Sequence, residues 1–146
     1  MKAALAEAKK AYAKGEIPVG AVVVYQNKII ARGHNLREKK QSVLEHAELV
    51  AIKKANQKTG SWRLEECDLY VTLEPCPMCA GAIIQSRIKN LYFGAYDLKT
   101  GAAGSVLSLF NYRFNHLVNV VGGIMQDDCS SIIKDFFKEL RKKSLD

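Results

Sequence analysis

No stretch of this 146-residue chain is apolar for long enough to cross a bilayer, which excludes a helical membrane span. Internal repeats, low-complexity tracts and Pro/Gly-rich linkers are missing too, so one domain over residues 1–146 is the expectation. The opening MKAALAEAKKAYAKG sets Lys and Glu among its apolar positions and lacks the uninterrupted apolar core of a secretion signal; it reads as an amphipathic helix. A cytoplasmic, reducing location with no membrane contact follows as the expectation. Cysteine is scarce, with four residues, and in that compartment these are expected as thiols open to a metal or to catalysis, not as structural disulfides. Acidic residues are outnumbered, 15 against 22 basic, for a formal charge of +7. The excess nominates nucleic acid only weakly, because a lysine-rich solvated surface explains it equally well.

What the chain does have is an ordinary core. Hydrophobic residues make up 48% and charged residues 25%, which excludes a disordered chain and suffices for folding without disulfide or metal staples. Leu5, Ala8, Ala11 and Tyr12 fall at helical spacing, with Gly15 suited to the stop. VGAVVVY and KIIARGH are β-branched runs joined by Gln26-Asn27, a two-residue hairpin connection. The spacing predicts a helix from near Leu44, with Leu49, Ile52 and Ala55 toward the core. DLYVTLE at 68–74 reads as a buried strand, CAGAIIQSRI as a helix and NLYFGAY as a strand, a βαβ crossover that demands a parallel pair. LVNVVGG supplies a last strand, and DDCSSIIKDFFKELRKK a last amphipathic helix with acidic residues at its start. The sum is a mixed sheet flanked by helices.

EPCPMC, residues 74–79, interrupts that pattern. Pro75 keeps the preceding residue extended, and Pro77 belongs in a first helical turn, where its missing N–H costs little. Cys76 and Cys79 therefore fall at a helix N-terminus, on one face, where the helix dipole favours thiolate over thiol. On this spacing alone a metal half-site, a thioredoxin-type redox pair and two inert core cysteines all stay open. The stretch LEHAEL, at 44–49, weighs on the choice. A zinc site that performs chemistry takes three protein ligands and keeps a fourth position for water. His46 is a candidate third ligand, and Glu48 a candidate proton carrier. Residues two apart on a helix diverge by about 200°, so the two serve one site only if they open the helix. His-Ala-Glu by itself is weak; joined to the later cysteines it forms H-x-E…P-C-x-x-C, the known signature of zinc nucleobase deaminases.

On EIPVGAVVV (16–24), GHN (33–35), HAE (46–48), LYVTLEPCPMCAGAIIQSRI (69–88) and FGAYDLKTGAAGS (93–105), the chain resembles the bacterial tRNA-specific adenosine deaminase family. The likeness runs from near Glu7 to Arg141. HAE and PCxxC are shared by the wider superfamily, and PCPMC by guanine deaminases; the FGAYDLKTGAAGS stretch and the DFF near the C-terminus point to the tRNA-acting branch. The resemblance implies a three-layer α/β/α cytidine-deaminase-like fold with a central five-stranded mixed sheet, and a homodimer. It implies one Zn2+ per subunit, held by His46, Cys76 and Cys79. The implied reaction turns the wobble adenosine of a tRNA anticodon stem-loop into inosine, by zinc-activated water attacking C6, with Glu48 moving protons and ammonia leaving. The alternatives are a deaminase of free guanine, cytosine or nucleosides, and a thiol redox or structural zinc module.

Asn35 resembles the residue that hydrogen-bonds the flipped nucleoside, although Gly-His-Asn is also a good turn. Pro18, Val19 and Ala47 are expected at the substrate, the first two otherwise simply opening a strand. Asp97 is expected either to reach the nucleotide through its sugar or to start the KTGAAG loop. An anticodon loop also needs charge and stacking. Lys134, Lys138, Arg141, Lys142 and Lys143 lie on the last helix for phosphates. Phe136 and Phe137 cannot both be core on one helix face, which leaves Phe137 for RNA or a partner subunit. His34 and His116 are expected as surface or hydrogen-bonded histidines, Cys67 and Cys129 as small buried residues.

Overall fold

The computed structural model describes residues 1–145. Helix α1 (Lys2–Ala13) leads into the hairpin β1 (Gly20–Tyr25) and β2 (Lys28–His34), the single turn α2 (Arg37–Lys40) and α3 (Ala47–Thr59). Then come β3 (Cys67–Leu73), α4 (Pro77–Gln85), β4 (Asn90–Ala95), a 3-10 turn at Leu109–Asn111, β5 (Asn119–Val121) and α5 (Gln126–Leu145). The strands form one sheet in the order β2-β1-β3-β4-β5. β1 is antiparallel to both neighbours, whereas β3, β4 and β5 run parallel. The sheet is thus five-stranded and mixed, and the crossover through α4 is the expected βαβ unit. At the hairpin, Gln26 and Asn27 both take positive φ, 49° and 63°, the geometry whose twist matches the flanking strands.

Register assigns the two faces. Ala21 pairs with Gly33 and with Val71, while Gly20 pairs with His34, so alternate rows face opposite helical layers. On one face α1 and α5 lie so close that a Cβ on Gly20 would collide with the carbonyl of Ala4, and one on Gly94 with the sulfur of Cys129. On the other, a Cβ on Gly33 would stand 2.6 Å from the carbonyl oxygen of Ala47. That glycine lets the first turn of α3 sit directly on β2. The larger core fills this second layer, where Ile52, Leu69, Val71, Ile83 and Phe93 are buried together.

Three sequence readings shift. Helix α3 starts at Ala47 and not near Leu44, and its core stripe is Ala47, Ala51, Ile52 and Ala55; Leu49 is only partly buried. Small residues fill the stripe because the helix rests on sheet backbone. The last strand shrinks to Asn119–Val121, because Gly122 packs its backbone against the Phe93 ring and Gly123 turns to φ 82°. The last helix separates its phenylalanines as expected: Phe136 is buried and Phe137 is 36% exposed. Among the described residues, no helix is long and apolar enough to cross a membrane.

Candidate metal centre and its cavity

Two helix N-termini meet beyond the C-terminal ends of the parallel strands. His46 is the N-cap of α3, extended at φ −69° and ψ 149°. Cys76 is the N-cap of α4, extended at φ −73° and ψ 171°, with Pro77 taking the first helical position. Cys79 follows in the same turn and is fully buried. Nδ1 of His46 lies 3.7 Å from the Cys76 sulfur and 3.5 Å from that of Cys79. All three ligand atoms are within 4.8 Å of one another. Tetrahedral bonds of zinc length would set a nitrogen and a sulfur roughly 3.6 Å apart, so both nitrogen–sulfur distances of this donor set fit such an ion.

The protonation pattern is that of ligands sharing hydrogens. The Cys76 thiol is drawn down to about 4: the Cys79 thiol donating to it outweighs its burial, and His46 adds to the effect. Cys79 is pushed up by that same bond and by burial, and His46 is raised by its bond to Cys76 in spite of burial. Two N-terminal dipoles converging here favour negative sulfur. Glu48, 4% exposed in the first turn of α3, is raised to about 7, mainly by burial; its own backbone N–H and His46 pull the other way. A carboxyl poised near neutrality, with His46 and the cysteine pair beside it, can both accept and release a proton at physiological pH.

His46, Glu48 and Cys76 face a cavity of about 490 Å3 lined also by Val19, Asn35, Ala47 and Asp97, while Cys79 is buried next to them. Pro18 is buried but does not reach the wall, which Ile17 supplies instead. Asn35 is 8% exposed, and its amide is already engaged: Nδ2 donates to the Ile17 carbonyl at 3.2 Å and Oδ1 accepts from the Arg37 N–H at 3.1 Å. Asn35 therefore makes the turn and lines the cavity at once. Asp97 accepts from the N–H groups of Lys99 and Thr100 at 3.0 and 3.1 Å and from the Thr100 hydroxyl at 2.8 Å, so its carboxylate builds the loop. Phe137 lines the cavity together with Lys134, whereas Lys138 and Arg141 are exposed further along α5 and off its wall. His34 bonds Glu7 and Lys14, and His116 bonds the Ile88 carbonyl; neither joins the site. Cys67 and Cys129 are buried and unpaired.

Sequence reasoning missed Arg37, Glu74, Tyr96, Ser130 and Ile133 on the wall, and the buried Glu16 behind it. Ser130, Ile133, Lys134 and Phe137 follow a helical stripe that was legible. Arg37 had no such signal. Its turn is set by the buried Glu16 carboxylate, which accepts from the N–H groups of Glu38 and Lys39 at 3.0 and 2.7 Å.

The MafB19-like deaminase family profile matches residues 1–141. A tRNA-specific adenosine deaminase of Bacillus subtilis is 52% identical over 144 residues, covering 98% of this chain and 89% of that protein. A solved structure from a study of A-to-I editing by tRNA:A34 deaminases at the wobble position of transfer RNA superposes with a TM-score of 0.88 at 41% identity, over 90% of this chain and 96% of its own. A guanine deaminase from Bacillus subtilis is more distant, with a TM-score of 0.62 and 30% identity over 78% of this chain and 83% of its own.

Proposed function

Since this chain belongs to the tRNA-specific adenosine deaminases within the MafB19-like deaminase family, we infer that it converts the wobble adenosine of a tRNA anticodon to inosine. The observation that carries the chemistry is the convergence of the His46, Cys76 and Cys79 donor atoms within 4.8 Å of one another, with the buried Glu48 lining the same cavity as His46 and Cys76. We assign zinc to the three ligands, one ion per chain. When bound, zinc supplies a Lewis acid that brings the pKa of a water toward neutrality and makes it a nucleophile.

The chain's own groups do the rest. Glu48 takes the water proton on its carboxylate, delivers a proton to N1 of adenine as C6 is attacked, and carries the second proton to the departing amino nitrogen. Adenosine and water thus become inosine and ammonia. Val19, Ile17 and Ala47 give the apolar wall against which an unstacked base can lie. Asn35 stands at the same wall, and its amide retains a second N–H and a second lone pair for the base edge. Arg37, Lys99 and Lys134 surround the mouth, which suits a polyanion better than a free purine. Phe137 adds an aromatic face on which a flanking base can stack.

We further read residues 1–146 as one working unit that pairs as a homodimer. Exposed Leu98, Val106, Leu107, Tyr112 and Phe114 support that reading as an apolar surface suited to a second copy. The test is inosine formation in an anticodon stem-loop against release of ammonia from free guanine, cytidine and adenosine. Turnover of the hairpin alone is expected; turnover of a free base with none of the hairpin overturns the assignment.

A further inference from the structure

Glu74 is a buried carboxylate, 2% exposed, that the chemistry above does not use. Among the described residues it forms no ion pair. Its charge is met by hydrogen-bond donors alone, and all of them come from one loop. Oε1 accepts from the Asp97 N–H at 3.0 Å and from the Ser105 hydroxyl, and Oε2 from the N–H groups of Ala103 and Ser105 at 2.9 and 3.1 Å. The Pro75 carbonyl accepts from the Ala102 N–H at 2.8 Å, a second stitch to the same loop. Gly101 lies flat on the carboxylate, where any Cβ would strike it and would stand 2.5 Å from the Asp97 carbonyl oxygen. The loop so gathered supplies Asp97, Leu98, Lys99 and Thr100 to the cavity wall. Two residues further on, the turn that carries Glu74 presents Cys76.

We propose that Glu74 is a positioning residue of the deaminase site: its carboxylate holds residues 97–105 in the shape that makes one wall of the cavity and ties that wall to the turn bearing Cys76 and Cys79. The claim rests on the RNA-deaminase reading for its kinetic consequence, while its physical content, a loop held by one carboxylate, does not. A carboxylate suits this task better than its amide, because all four donors point at it and Glu74→Gln would turn an N–H against at least one of them.

The test is E74Q in the zinc-loaded chain, by hydrogen exchange with mass spectrometry and by steady-state kinetics on an anticodon stem-loop. Exchange of the Asp97, Ala103 and Ser105 amides is expected to rise at least about tenfold with β1 and β3 unchanged. KM for the hairpin is expected to rise about tenfold while kcat falls less than about threefold and zinc content stays at that of the parent. A general loss of fold would instead speed exchange throughout and move kcat and zinc with KM. Should E74Q not fold, S105A removes one of the four donors, the Ser105 hydroxyl, and is expected to change the same amides and KM in the same direction by a smaller amount. Unchanged exchange in the loop, or raised exchange with unchanged KM, overturns the proposal. Failure of the parent to deaminate the hairpin would sink the RNA reading and leave the exchange result to decide the loop.

Discussion

His46 and Glu48 are two residues apart yet face one cavity, because only Glu48 is inside the helix: His46 caps α3 in extended backbone, and Glu48 lies in the first turn after it. A continuous helix would have pointed them about 200° apart. The cap geometry separates their tasks as well, placing an imidazole beside two sulfurs and a buried carboxyl at the cavity wall.

Glu48→Ala is therefore expected to keep zinc, fold and RNA affinity while losing deamination by more than the roughly 100- to 10,000-fold typical of one general acid or base, since one carboxyl serves several transfers. Zinc by atomic absorption, binding by filter retention and inosine under single-turnover conditions check it. Release of the metal by this variant would make Glu48 a ligand or an orienter of His46.

Removing a ligand should not divide the properties in this way. Cys76→Ser and Cys79→Ser are each expected to lose metal and activity together, from about one zinc per chain to a small fraction of that. Full activity after verified zinc removal contradicts the assignment.

Asn35→Ala removes a link between the Ile17 carbonyl and the Arg37 N–H at the cavity wall. On the reading that phosphate contacts hold the RNA and Asn35 orients one base, kcat/KM should fall about 10- to 100-fold with the dissociation constant within about threefold. Equal losses in binding and turnover would mark Asn35 as an organiser of the α2 turn alone.

Two glycines should respond oppositely to alanine. At Gly33 a Cβ would meet the Ala47 oxygen at 2.6 Å and the Ala51 nitrogen at 2.7 Å. Overpacking there is expected to cost about 1–3 kcal/mol and to displace the turn bearing His46 and Glu48. Gly81, inside α4 with no atom within 4 Å of its added Cβ, should instead gain about 0.5–1 kcal/mol. Urea denaturation at saturating zinc reads both.

Glu7 is buried at 3% exposure between Lys10 and His34, at 2.6 and 3.1 Å. Burial would raise its carboxyl, but the bonds to Lys10 and His34 prevail and hold it below the ordinary value of 4.5. A depressed carboxyl gives stability that is complete above the unfolded pKa and is lost as pH falls through the folded one. Glu7→Gln is thus expected to lower stability at pH 7, with the gap to the parent closing below about pH 4. A gap constant from pH 7 to pH 3 would assign the loss to packing.

Legibility from sequence followed the range of the forces involved. The hairpin at Gln26-Asn27, the crossover into Asn90–Ala95 and the capped turn at Pro75–Cys79 are local, set by φ preferences, periodicity and a missing N–H, and all were readable in order. The start of α3 was misplaced by about three residues because a cap is decided by what the helix end touches, a limit usual for such boundaries. Arg37 carried no periodic or motif signal, and Glu74, although it opens EPCPMC, carried none for its contacts, since their places come from carboxylate contacts with segments 22 residues or more away in sequence, Glu16 to Glu38 and Glu74 to Asp97–Ser105.

The sequence by itself nominated the chemistry: His46, Glu48, Cys76 and Cys79 stood out through the H-x-E…P-C-x-x-C signature and the family resemblance, because a zinc-type donor set and a proton carrier are properties of side chains, whereas the cysteine spacing alone left a redox pair and inert cysteines open. Only the tertiary structure decided that His46 and Cys76 are both N-caps, 3.7 Å apart from Nδ1 to sulfur, and that Glu48 is buried. It alone also decided the wall, by folding loop 97–105 around Glu74 and the α2 turn onto Glu16. Distance and desolvation depend on how α3 and α4 rest on the sheet, and no residue's own preferences contain that.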